Sequence, residues 1–353
     1  MSESDLMAAV RHLADSLEQQ QPFDISAQKI QPIFEEGIGA TLNECNEALP
    51  HLARLIRDAE NDMMAAYIAI ASGALVERGA DPHLAADVIL DRLEIVAEGA
   101  RDFYEVCIKA KAFVEDAETE DILKTIATQM PLEAFQWAVL ERVYVAPIAL
   151  LSRSKTLRQQ VQTRRGLIEM IASMSRDNVG AEWLNKMFAV LDDEELLVLH
   201  PEQGKGYRLR IEGIASNFDL HTLLAAALIG DPAEGWLEGK APDPDVVEAL
   251  QGEASDSAMH TSGSFNLVNY TGLQPDGTVS KDLDSRTHWI WNEGVPSDIT
   301  LFDGLRIILL TPPSYERSWN VGRTFGGMVG RLHVEQVLTV EEVRTWLTRL
   351  RQS

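Results

Sequence analysis

Between Ser314 and Met328 the chain reads SYERSWNVGRTFGGM, which sets Arg317 and Arg323 among Tyr315, Trp319 and Phe325. Planar guanidinium groups suit carboxylates and phosphates through paired N–H donors, and aromatic faces stack against them. Arginine with Trp and Tyr is also the composition of interface hot spots. Gly322, Gly326 and Gly327 permit backbone shapes closed to other residues, and Pro312 and Pro313 end the strand before them. The expectation is an exposed binding loop in which Arg317 and Arg323, framed by Tyr315 and Trp319, accept an acidic group from a protein partner or small ligand. The rival is a plug, with Trp319 and Phe325 filling the end of a small sheet and the arginines bonding carbonyls or the protein's own acids.

A second stretch, THWIWNEGVP, puts Glu293 beside Asn292, His288 and two indoles, with Asp298 shortly after. A carboxyl held against indole faces loses solvation of its charged form, which raises its pKa toward general-acid values. Two carboxylates near aromatic platforms are what sugar hydrolysis needs, so a carbohydrate-active hydrolase using Glu293 and Asp298 is the alternative enzyme reading. Against it, strand alternation puts Trp289, Trp291 and Glu293 on one face, where the indoles would cover a sheet and Glu293 would open a turn at Gly294.

Other chemistries lack their residues. The sequence has no phosphate-cradling Gly-rich loop, no nucleophile elbow, no His-Glu-x-x-His and no Cys-x-x-Cys. Glu44, Glu47 and His51, and further on Glu94, Glu98, Asp102 and Glu105, fall at helical spacing, but without the Glu-x-x-His pairs of a two-metal bundle they read as a solvated acidic stripe. No metal or cofactor is expected. The reading is a binding or regulatory protein acting by protein–protein or acidic-ligand recognition.

Charge narrows the partners. The formal net charge is −24, with 11 basic against 27 acidic side chains in residues 1–150 and a near balance of 9 against 10 in 261–353. An anionic body repels phosphate backbones and anionic lipid, so nucleic acid and membrane surfaces are disfavoured partners. The start, MSESDLMAAV, carries acid where a secretory signal needs basic residues, and the uncharged run Met63 to Val76 is shorter than the ~20 residues of a membrane span. Cys45 and Cys107 are the only cysteines, which suggests a reducing compartment. The expected location is the cytosol.

The periodicities of the whole chain predict an α+β fold. Leu52, Leu55, Ile56, Met63, Tyr67, Ile70 and Leu75 fall at three- and four-residue spacings and predict one buried helix, closed by Gly79. Asp81 and Pro82 restart the next, and Pro147 breaks a later one. Two helices and the hairpin ELLVLHPEQGKGYRLRI then follow in winged-helix order over 157–211, which raises a DNA-binding alternative with Lys205, Arg208, Arg210 and the island Arg153, Lys155, Arg158, Arg164 and Arg165 as its cations. Glu182 and the run Asp192 to Glu195 argue against it. The predicted division is a mainly helical acidic domain over 1–250, including a hairpin near 196–211, a linker over 251–263, and a small sheet module over 264–353 closed by a helix over 340–351. Thr339 and Glu342 form that helix's capping box.

Overall fold

The structure is a computed structural model of the 353-residue chain and describes residues 4–113, 119–252, 259–280 and 288–352. It has two compact units, Met1–Phe188 and Ala189–Ser353. The chain is α+β, as its periodicities predict.

The first unit is helical. Its helices are α1 (Asp5–Glu18), α2 (Phe23–Gln28), α3 (Gln31–Gly39), α4 (Leu42–Asp58), α5 (Asp62–Glu77), α6 (Ala86–Lys109), α7 (Thr119–Gln129), α8 (Pro131–Val143), α9 (Val145–Arg153), α10 (Lys155–Val161), α11 (Arg165–Met174) and α12 (Val179–Phe188). The single helix predicted through Leu52 to Leu75 is two, because Ala59 is extended and Asn61 starts a new helix. Asn61 Oδ1 accepts from Met63 N at 2.9 Å and Met64 N at 3.1 Å, taking up donors that a helix start leaves orphaned. At the other end of α4, Thr41 and Glu44 make a capping box. Glu44 is thereby a cap.

Gly79 takes φ +107° after α5, as the left-handed stop requires. Asp81 caps only a single 3₁₀ turn, Pro82–Leu84, before α6 begins at Ala86. The run Pro131–Arg153 has the length and composition of a membrane span, but it is two helices, α8 and α9, and half of its apolar window is buried within the protein.

The second unit is a mixed sheet between helices. Its elements are β1 (Leu191–His200), β2 (Lys205–Ile214), α13 (Asn217–Leu228), α14 (Pro244–Gln251), β3 (Met259–Ser262), β4 (Asn266–Asn269), β5 (Leu301–Phe302), β6 (Leu305–Thr311), β7 (Ser318–Val321), β8 (Arg331–Val337) and α15 (Val340–Leu350). The order is β4-β6-β1-β2-β8, with β5 also on β6, and β3 and β7 form a separate pair. The β1–β6 pairing is parallel and the other pairings are antiparallel.

The apolar runs explain the layers. On β1, Leu196 and Val198 pack with the leucines of α13, while Leu197 and Leu199 pack with Val343 and Leu350 of α15. On β6, Ile308 and Leu310 join the α13 side and Ile307 and Leu309 the α15 side. A strand buried on both faces reads as a continuous hydrophobic stretch, which is why these two segments lack alternation.

The predicted division at 251–263 is therefore corrected. The hairpin, α13 and α14 belong to the sheet unit, because β1 and β2 are inner strands that need β6 and β8 as neighbours. The hairpin is not a projecting wing, so the winged-helix arrangement over 157–211 is absent. Of the predicted linker, Gln251 ends α14, residues 259–262 are β3, and residues 253–258 lie outside the described residues.

Candidate functional site

The arginine-rich loop is built inward. Trp319 is only 9% exposed and Phe325 4%, while Tyr315 keeps 53%. Arg317 Nη2 donates to Phe265 O at 2.8 Å and to Asn266 Oδ1 at 3.3 Å, with its guanidinium over the Tyr315 ring. Arg323 donates to Ala249 O at 3.0 Å and also to Gly252 O and Gly326 O, the first two at the C-terminal end of α14. Cations suit that end of a helix, where carbonyls lack partners. Both arginines are partly buried, and the fork expected to accept an acidic group bonds backbone carbonyls instead. The exposed pair anticipated from composition is corrected on this point.

Behind the loop lies a polar cluster. His221 on α13 is fully buried, its ring 5.0 Å from that of Trp319. Its Nε2 lies 3.4 Å from Phe265 N, which donates to it, and Nδ1 lies 3.5 Å from Asn292 Oδ1. An acceptor at Nε2 requires the Nδ1–H tautomer, a neutral ring. Burial, with Arg317 nearby, accordingly lowers the His221 pKa to about 4. Asp219, in the first turn of the same helix, is raised to about 6 by burial, with a bond to Ser216 and the charge of Arg323 pulling the other way. A void of about 10 Å³ lined by Asp219, Arg323 and Thr324 has room for about one water.

The carboxylates near the indoles do not share a pocket lining with these groups. Glu293 and Asp298 are both exposed, and Asp298 Oδ2 accepts from Val295 N at 3.1 Å, closing a turn. His288 bonds Thr271 Oγ1 at 3.1 Å. The segment forms a single bridge, Trp289 to Val268, and no strand. The alternation expected there fails: Trp289 and Ile290 are both buried, and Trp291 is 48% exposed.

Most of the cations invoked for DNA are engaged with the protein itself, Arg165 being exposed and without a partner among the described residues. Arg208 pairs with Glu195, Arg210 with Glu335, and Lys205 with the carbonyls of Pro232 and Trp236. In the basic island Arg164 bridges Asp91 and Glu94, Arg158 is buried on Leu151 O, and Arg153 bonds Glu77 O.

Open space for a ligand lies in the helical unit. A cleft of about 770 Å³ runs along α1, the α1–α2 link, α2, the second half of α4 and the start of α5. Clefts of about 300–1,000 Å³ hold drug-sized molecules. Its apolar lining includes Met7, Val10, Ala14 and Leu17 of α1, with Leu55 and Met64 across from them. Its polar lining includes Arg11, His51 and Arg54, and Glu18, Asp58 and Glu60. Among the described residues, His51, Arg54, Glu18, Asp58 and Glu60 make no ion pair or hydrogen bond through their side chains.

Two corners of this cleft are fixed by buried and part-buried bonds. Ser16 Oγ lies 2.8 Å from Ser26 Oγ and donates to Gln21 Oε1 at 2.8 Å, tying α2 back onto α1. The link passes through Gln20 at φ +52°, a left-handed backbone that costs a non-glycine residue on the order of 1 kcal/mol. At the α4–α5 corner, Arg92 donates to Asp62 Oδ1 at 2.9 Å, to Ile56 O at 2.9 Å and to Ala59 O at 2.8 Å, and Gln136 donates to Asp62 Oδ2 at 2.9 Å. Asp62 is a buried charge with its partner in place, so this corner is held rigidly.

Sequence reasoning missed this site, although α1 carries a signal. Leu6, Ala9, Val10 and Leu13 already face the core, so Met7, Ala14 and Leu17 widen the apolar arc beyond what the core covers. No protein-family model, curated protein or solved structure matches the chain.

Proposed function

We propose that the chain is a recognition protein that works by reversible binding, taking a small amphipathic ligand in the α1–α2–α4 cleft. One observation carries the reading: a space of about 770 Å³ combines an apolar floor with Arg54, Glu18, Asp58 and Glu60, whose side chains make no ion pair among the described residues. Exposed charges without partners beside uncovered apolar surface give a ligand both burial and orientation. The site for acidic-ligand recognition thus moves from Arg317 and Arg323 to the cations of this cleft. A cytosolic setting fits the two thiols, since Cys45 and Cys107 are buried and unpaired and burial raises both pKa values, Cys107 to about 11.

The test is titration with 1-anilinonaphthalene-8-sulfonate, an apolar anion that fluoresces when desolvated. The wild-type chain should bind it saturably, and Ala14→Trp, which fills the cleft from α1, should abolish the signal with little change in melting temperature. Equal binding by a folded Ala14→Trp protein would sink the reading.

A further inference from the structure

The sheet of the second unit ends differently on its two sides. Beyond β4, Ile290 N donates to Leu267 O at 3.0 Å and Asn269 N to His288 O at 2.7 Å, so the chain itself covers that edge. The other side ends at β8. Its inner edge pairs with β2, and among the described residues no strand or loop bonds the backbone of Arg331–Val337 from outside. A row of unpaired N–H and C=O groups is a template for another strand. Leu332 and Val334 join the core under α13, so alternation puts Arg331, His333 and Glu335 on the opposite face, and all three are exposed. Arg331 pairs with Glu212 and Glu335 with Arg210, both on β2, while the His333 side chain has no bond among the described residues. The register with β2 skips Glu335, a bulge that ends the straight run begun at Arg331. His333 is the centre of that run.

We infer that this edge pairs with a second copy of the chain, β8 against β8, antiparallel about a two-fold axis at His333. The inference is independent of the α1 cleft. Charge selects the occupant. Arg331 and Glu335 stand two residues either side of His333, so an antiparallel copy sets Arg331 opposite Glu335 of the second copy, and the symmetry repeats the pair. A parallel copy would set arginine against arginine and glutamate against glutamate. An axis at Val334 would leave Arg331 opposite Val337. Opposite charges facing across strands stabilise a pairing and like charges weaken it. The bonds inside each chain survive, because the row then alternates: Glu212, Arg331, Glu335 of the second copy and Arg210 of the second copy. A foreign strand would need the same two charges, four residues apart and in the reverse order. The copy supplies them by symmetry. Five residues a side make a small interface, which gives weak, concentration-dependent association.

Sedimentation of the full chain from micromolar to millimolar concentration decides it. The wild-type chain should pass from monomer to dimer over that range, and hydrogen exchange along β8 should slow as the dimer forms. His333 faces its own copy across the axis, so His333→Lys and His333→Asp each set like charges together. Each should raise the dimer dissociation constant roughly twofold to fivefold, with little change in melting temperature. An equimolar mixture of the two variants sets Lys against Asp and should associate more tightly than either variant alone. A wild-type chain that stays monomeric throughout would overturn the inference and leave the edge to a strand of another protein. A mixture no tighter than its components would overturn it too. So would stronger association by His333→Lys alone, which would place that position opposite Glu335 and move the axis. A dimer whose β8 amides exchange at the monomer's rate would put the interface elsewhere and end the proposal.

Discussion

The loop at 314–328 and the cleft along α1 contain the same kinds of residue and do opposite things with them. In the loop, Arg323 bonds three carbonyls, Arg317 bonds a carbonyl and an amide oxygen, and Trp319 and Phe325 are buried. In the cleft, Arg54 is exposed with no partner among the described residues, and Leu17 and Leu55 are only partly covered. Composition ranked the loop first. What separates the two is where each donor ends, and that is decided by the backbone around it.

Trp319→Ala should have the largest effect of any substitution in the loop. Removing a buried indole leaves a cavity and should destabilise the sheet unit by about 3–5 kcal/mol in chemical denaturation, with Tyr315→Ala near neutral. If the two substitutions cost the same, the loop is not built inward.

Next in size is a pH effect hidden by compensation. His221 titrates near 6.5 unfolded and about 4 folded, so the unfolded chain binds more protons between these values. Stability from this group falls as pH drops through that window. Asp219 titrates near 3.8 unfolded and about 6 folded, so there the folded chain holds the extra proton and acidification favours it. The two contributions oppose each other between about pH 4 and 6. Asp219→Asn should uncover the histidine, losing up to about 3 kcal/mol relative to wild type between pH 6.5 and 4. Urea midpoints across that range, with a constant difference between the two proteins, would refute it.

The smallest contrast is between two arginines. Arg323→Ala leaves carbonyls at the end of α14 unsatisfied and should cost about 2 kcal/mol. Arg54→Ala should change stability by less than about 0.5 kcal/mol while weakening ligand binding. Melting curves of the two variants compare them directly.

What was legible in the sequence is what local chemistry decides. The capping box of Thr339 and Glu342 forms as read, QPDGTV is a turn with Gly277 at φ +88°, and Gly79 stops α5. Long-range pairing was not legible. Nothing in ELLVLH states that its partner is a strand about a hundred residues away, so the hairpin reads as part of the helical domain although it belongs to the sheet unit. The cleft was hidden for a related reason. Met7, Ala14 and Leu17 are ordinary helix residues until the placement of α2 and α4 shows that nothing covers them.

The parallel pairing of β1 with β6 also constrains how the chain is made. The hairpin is complete at Ile214, but its flanking strands end at Thr311 and Val337. At about 5–20 residues per second of synthesis, both hairpin edges wait roughly five seconds or longer for their neighbours. Through that interval Leu196 to Leu199 are an apolar segment paired with β2 on one side and open on the other, the kind of edge that recruits other chains. Emerging chains are therefore most vulnerable while ribosomes translate residues 215–337, and slowing translation there should raise aggregation of the nascent protein.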